Sequence, residues 1–202
     1  MANSMTAKLI LASASPRRKA LLEQIGIQAQ VKPVDIDESC REGEPAEDYV
    51  LRLAQEKAAA AFQLLSEQQR SEMVILAADT CVSLDHHILG KPEALADAQR
   101  TLGLLSGQNH QVYTGFALMA ADQKFHQVVT TQVDFREISE QEIAEYWATG
   151  EPADKAGSYG IQGLGAVFVD GIRGSYSNVV GLPLAEVSAA LQKFNIRHWQ
   201  SV

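Results

Sequence analysis

The chain has 202 residues, 46% of them hydrophobic and 21% charged, which suits one globular unit or two small lobes sharing a cleft and excludes a disordered chain. Its 17 Lys and Arg against 25 Asp and Glu leave a formal charge of -8. That field repels polyanions, so nucleic acid and anionic membrane surfaces are set aside as partners, and any anion bound needs a local basic site.

Two cysteines, Cys40 and Cys81, make neither a disulfide framework nor a C-x-x-C motif, which points to reduced thiols and a cytoplasmic setting. No apolar run approaches the roughly 18 residues of a membrane span. The first residues lack the basic-then-apolar pattern of a signal peptide. Residues 1–7 read as a loose extension of a single domain over 1–202, with Met5 as an alternative start.

A short buried strand is expected over 8–13, after which Ser15 is a good helix N-cap and Pro16 suits the first helical position, with the helix ending at Gly26. A second strand over 31–34 leads into an acidic loop through Asp35, Asp37, Glu38, Glu42 and Glu44, and Pro45 opens a long helix to about residue 70. The apolar run 74–78 reads as a buried strand ending on Asp79. Residues 82–89 resemble a hairpin turning at Asp85-His86-His87, and a helix over 92–105 has Lys91 just ahead of it. Strand-rich segments 112–120 and 124–137 form a second hairpin, and 139–147 is a helix with Ser139 and Glu142 spaced as a capping box. Four glycines fall within 157–165, followed by a strand over 166–172 and a closing helix over 183–194. Hairpins mixed with helix crossovers make an α/β fold with a mixed sheet.

Three cations, Arg17, Arg18 and Lys19, stand in the first turn of a helix, where the macrodipole disfavours each by roughly 0.3–1 kcal/mol. Free backbone amides with flanking cations at a strand-to-helix turn make an anion site, with Ser13 and Ser15 as further donors; the competing reading is a solvated face. Asp79 at a strand end is placed as a metal ligand or a base, or else caps the turn before Thr80. Glu38 and Asp79 together offer the hard oxygens that Mg²⁺ prefers, although Glu38 by itself belongs to an ordinary solvated acidic loop. Lys57 reads by default as a surface lysine beside Glu56, and Lys91 as a cation at a helix start. The segment 157–165 is neither G-x-G-x-x-G nor G-x-x-x-x-G-K-[ST], so Rossmann and P-loop readings fail. It allows close backbone approach, and Gln162 can offer both donor and acceptor to a base edge; a tight connection is the plain alternative. The five histidines show no zinc spacing, and no G-x-S-x-G occurs.

Leu-Ala-Ser-Ala-Ser-Pro-Arg-Arg at 11–18, Ile-Asp-Glu at 36–38, Leu-Ala-Gln-Glu-Lys-Ala at 53–58, Ala-Asp-Thr at 78–80 and Gly-Lys-Pro at 90–92 together resemble the Maf family. So do Asp-Lys-Ala-Gly at 154–157, Gly-Ile-Gln-Gly at 160–163 and Val-Val-Gly-Leu-Pro at 179–183. Eight fragments in order over nearly the whole chain are highly specific. The resemblance implies a mixed twisted sheet with flanking helices in two lobes around a deep cleft, related to inosine triphosphatase-like enzymes. It also implies a nucleoside triphosphate pyrophosphatase using a divalent cation, Mg²⁺ or Mn²⁺, to give a monophosphate and pyrophosphate. By position, Asp79 corresponds to the family's proton acceptor, Glu38 to its metal-associated acid, and Lys57 and Lys91 to its phosphate-side lysines. Arg17, Thr80 and Gln162 resemble the branch acting on dTTP and UTP. Cys81 and the turn at Asp85-His86-His87 depart from the commoner pattern, which has an aliphatic residue and a glycine-containing turn; neither carries chemistry in this reading.

The expected mechanism has Glu38 and Asp79 holding the cation and Asp79 helping to deprotonate water. Arg17, Arg18, Lys57 and Lys91 stabilise the leaving pyrophosphate, and Ser13 and Arg18 hold phosphate while Arg17 bears on the choice of base. Two rivals stand beside it: a nucleotide-binding regulatory module in cell-division control with little catalysis, and a phosphatase releasing single phosphates. A homodimer is compatible with the sequence.

Overall fold

In the computed structural model the described residues are 8–199, so the extension expected over 1–7 lies outside them. A seven-stranded sheet runs in the order β2-β1-β3-β5-β6-β7, with β4 also paired to β3. Strand β1 (Lys8–Leu11) is parallel to β2 (Ala29–Val31) and to the long β3 (Met73–Leu84). The hairpin strand β4 (His87–Leu89) and the strands β5 (Asn109–Met119), β6 (Lys124–Phe135) and β7 (Val169–Arg173) are added antiparallel. The helices are α1 (Pro16–Gln24), α2 (Ala46–Gln63), α3 (Glu67–Glu72), α4 (Leu95–Leu105), α5 (Glu140–Ala148), α6 (Tyr176–Val180) and α7 (Leu184–Lys193). The sheet is mixed and flanked by helices, as expected for the α/β class.

Strand alternation sorts β3 between two layers. Val74, Leu76 and Ala78 pack toward Leu21 and Leu22 of α1 and Val187 and Leu191 of α7. Ile75 and Ala77 face Ala54, Ala58 and Ala61 of α2. A separate core joins Val82 to Leu102 and Leu105 of α4, Ile143 and Tyr146 of α5, and Phe135, Tyr159 and Phe168. Strand β3 therefore belongs to both lobes.

Helix α2 lies very close to the sheet because of Gly115 on β5, directly across from Asp79. A Cβ on Gly115 would stand 2.5 Å from the Val50 carbonyl oxygen, so only glycine lets the helix backbone come down there. The small residues Ala54, Ala58 and Ala61 continue that approach along the helix.

The helix expected from 45 to about 70 is two helices. Ser66 accepts from the Gln69 amide while the Gln69 side chain accepts from the Ser66 amide, and this capping box restarts the chain as α3, with Leu65 turned into the core. The strand expected to stop at Asp79 runs on to Leu84, because β5 pairs with it from Ile75 to Ser83. The helix expected from 92 begins at Leu95, where the Asp97 carboxylate accepts the Glu93 amide. Helix α6, capped by Ser175, has five residues and is too short to show a period. Residues 164–168 form a 3₁₀ turn, so the strand expected from 166 begins at Val169. The hairpin turn is made by Asp85 and His86, both at positive φ, 47° and 66°, the conformation for which glycine is favoured. The capping box of α5 forms as expected, Ser139 with Glu142.

His110 is wholly buried, edge-on to Phe135, with Nε2 2.9 Å from the Tyr159 hydroxyl. Burial pushes its pKa down to about 4, against the pull of Asp134.

Two consequences can be measured. Gly115→Ala forces α2 off the sheet and should lower stability by about 1–3 kcal/mol in urea unfolding; an unchanged midpoint contradicts the close approach. His110 has a folded pKa below its unfolded value near 6.5, so the unfolded chain binds more protons and stability falls as pH drops from about 6.5 toward about 4. The loss should reach about 3 kcal/mol and be absent in His110→Gln; equal pH slopes in the two proteins contradict it.

Candidate active site

The cleft follows from a gap in strand pairing. One edge of β3 is taken by β5 from Ile75 to Ser83. On the other edge β1 pairs only as far as Leu76, and β4 resumes pairing at Val82. Between them, residues 77–81 have an open edge, where β1 gives way to the turn into α1. A cavity of about 800 Å³ opens there, within the size range of small-molecule sites. Ser13, Arg17, Arg18, Glu38, Lys57, Asp79, Thr80, Lys91 and Gln162 all line it, although they come from six separate stretches of chain.

On the α2 face, Asp79 follows Ile75 and Ala77 in register and is 9% exposed. Lys57, two turns along α2 from the contact with Gly115, is 8% exposed and donates to Asp79 Oδ1 at 2.7 Å. The same ammonium is paired with Glu38 Oε1 at 2.5 Å. The expectation of a surface lysine beside Glu56 is therefore corrected: Lys57 faces inward and bridges the two acids. Glu38 is brought in by α2 as well. The Tyr49 hydroxyl donates to the Glu38 carbonyl at 3.0 Å, and Arg52 donates to the Ser39 carbonyl at 3.1 Å. Arg52 also forks onto Glu44 at 2.6 and 2.7 Å, holding that carboxyl down at about 2. The acidic loop is thus tied to the helix that carries Lys57.

Thr80 points to the opposite face, where Arg18 is the hub. Its Nε donates to the Gly181 carbonyl at 2.8 Å, Nη1 to Ser13 Oγ at 3.1 Å and Nη2 to Thr80 Oγ1 at 3.1 Å. Burial lowers the Arg18 pKa from its ordinary value, with Asp79 pulling the other way. Thr80 in turn bonds Thr114 at 2.9 Å.

The three consecutive cations do not act as one fork, since successive helical residues are about 100° apart. Arg18 turns inward, Arg17 reaches Asp154 at 3.5 Å, and Lys19 pairs outward with Glu23. Ser15 has the extended backbone of an N-cap but makes no side-chain capping bond; its amide instead donates to Ser13 Oγ at 3.2 Å. Lys91 stands four residues ahead of α4 instead of adjoining it, in a loop tied to the segment 156–158 by the Gly157 amide on the Gly90 carbonyl. Gln162 is exposed on the glycine-rich loop.

Sequence reasoning missed Tyr49, Glu151 and Tyr159, which also line the cavity. Asp154 and Lys155 fall within a quoted motif, yet nothing in it foretold that Asp154 would pair with both Arg17 and Lys155, the latter at 2.7 Å. Cys81 is buried, and burial next to Asp79 pushes its thiol up to about 12, so it stays protonated and unreactive. Among the described residues no cluster of three or more His, Cys, Asp or Glu could by itself hold a metal, and no helix is long and apolar enough to cross a membrane.

A family model described as Maf-like protein matches residues 8–194. The chain is 50% identical over 192 residues to a dTTP/UTP pyrophosphatase of Hahella chejuensis, covering 95% of this chain and 94% of that protein. A protein of the same name from Colwellia psychrerythraea is 51% identical over 188 residues, 93% of this chain and 89% of its own. Another, from Vibrio vulnificus, is 50% identical over 187 residues, 93% and 98% respectively. With the family match running from β1 to the end of α7, and relatives aligned over nearly their full length, the chain belongs to the Maf family.

Proposed function

We propose that this protein is a dTTP/UTP pyrophosphatase, hydrolysing these triphosphates to the monophosphate and pyrophosphate. The observation that carries the reading is the single cleft lined by all nine residues picked out by motif, with Lys57 held between Glu38 and Asp79. The names of the relatives, each at about half identity over nearly the whole chain, supply the substrate class. The setting is cytoplasmic, where nucleoside triphosphates are at hand.

In this reading the triphosphate enters beside the open edge of β3. Asp79 accepts a proton from a water whose oxygen attacks the α-phosphorus. The bond from that phosphorus to the bridging oxygen breaks, and its electron pair leaves on pyrophosphate. Arg18, Lys57 and Lys91 offset the charge of the phosphates and of the leaving group, and Ser13 adds a hydroxyl donor. Arg17, Thr80 and Gln162 set the base preference, Thr80 acting through Arg18, to which it is bonded.

Glu38 and Asp79 would hold the divalent cation. Two hard carboxylates around one ammonium fit Mg²⁺ or Mn²⁺, which is commonly bound by one or two carboxylates together with waters and substrate phosphates. When bound, the ion supplies charge neutralisation of the phosphate oxygens.

The test is a panel of nucleoside triphosphates with and without Mg²⁺, scored separately for pyrophosphate and orthophosphate. Pyrophosphate should appear from dTTP and UTP, vanish with EDTA, and fall by about 10³-fold in Asp79→Asn with its circular dichroism retained. Orthophosphate as first product, or tight nucleotide binding without turnover, contradicts the proposal.

A further inference from the structure

The loop that presents Gln162 is held in place by a carboxylate that the proposed chemistry leaves idle. Glu151 stands in the turn after α5. Its Oε2 accepts the Leu164 amide at 2.8 Å, and its Oε1 accepts the Gly165 amide at 3.0 Å and the Tyr146 hydroxyl at 2.7 Å. The oxygen of that hydroxyl accepts the Gly160 amide at 3.2 Å. Both ends of the loop 160–165 are therefore moored to one pair of side chains, Glu151 and Tyr146.

The glycines of the loop show how closely it is pressed onto that mooring. A Cβ on Gly163 would overlap the Glu151 carboxylate, and one on Gly165 would stand 2.6 Å from the Tyr146 hydroxyl oxygen. Burial pushes the Glu151 carboxyl up, but the two amides, the hydroxyl and Lys155 outweigh burial and hold it below the usual carboxylate range. It is thus an anion accepting three hydrogen bonds, a stronger anchor than a neutral side chain. The same turn reaches across the cleft: Lys155 Nζ donates to the Glu151 carbonyl at 2.8 Å and pairs with Asp154, which meets Arg17 at 3.5 Å.

We infer that Glu151 is a positioning residue for nucleobase discrimination. It sets where the Gln162 amide stands in the cleft and, through its own turn, couples that position to Arg17. This rests on the pyrophosphatase reading above and names the residue that positions Gln162, one of the groups to which that reading assigns base preference. Glu151 lies on the base-reading side, and the phosphate-side groups Ser13, Arg18 and Lys57 make no hydrogen bond to it.

Wild type, Glu151→Gln and Tyr146→Phe are compared for kcat and KM on UTP, dTTP and GTP, with tripolyphosphate as a base-free competitive inhibitor. Ser139→Ala, which removes the cap of α5 without touching the loop, controls for stability. In Glu151→Gln the KM for UTP should rise about tenfold or more while kcat changes less, and the preference for UTP over GTP should fall by a similar factor, because misplacement by about 1 Å can cost up to about a hundredfold. Tripolyphosphate inhibition should stay as in wild type, Tyr146→Phe should show a smaller loss of preference, and Ser139→Ala none. If Glu151→Gln does not fold, Tyr146→Phe carries the test. An unchanged UTP/GTP preference in the folded variants overturns the inference, as does an equal loss of tripolyphosphate binding. A wild type that releases no pyrophosphate from UTP or dTTP overturns the functional reading itself, a result distinct from either.

Discussion

The cleft is organised around one ammonium. Lys57 sits almost out of solvent between Asp79 of the central strand and Glu38 of the acidic loop. Withdrawing a charge from water costs several kcal/mol, so a buried lysine and a buried aspartate in one place each require the other. Much of the surrounding architecture brings them together. Gly115 lets α2 rest on the sheet, the alanines of α2 keep it there, and Tyr49 and Arg52 of the same helix draw the loop bearing Glu38 inward.

The second half of the site is built on the other face of the same strand. Asp79 and Thr80 are neighbours in sequence, yet alternation sends one toward α2 and the other toward Arg18. Both can serve one cavity because β3 lacks a partner on one edge along residues 77–81. A strand exposed edge-on between two lobes offers side chains from both faces to one ligand. In the proposed function this separates the labour: the α2 face handles water and the cation, and the Arg18 face grips phosphate.

How much of this could be read from the sequence depended on how local the cause was. The turn from β1 into α1, the cap of Ser139 on α5 and the hairpin at residues 85 and 86 rest on neighbouring residues, and they form where expected. Asp79 was expected at a strand end because the apolar run stops there, but its strand is prolonged by pairing with residues 111–114 of β5, which are distant in sequence. Arg17, Arg18 and Lys19 look equivalent in the sequence and separate once helical rotation assigns each its own partner. Lys57 looked like a surface lysine because its two acids come from other elements. Glu151 gave no signal at all, since its partners are mostly backbone amides.

The most direct check on the account is the fate of solvent oxygen during UTP hydrolysis in H₂¹⁸O, with the products resolved by mass spectrometry. Attack of an Asp79-activated water on the α-phosphorus predicts one ¹⁸O in UMP and none in pyrophosphate. Label in pyrophosphate with unlabelled UMP would contradict it.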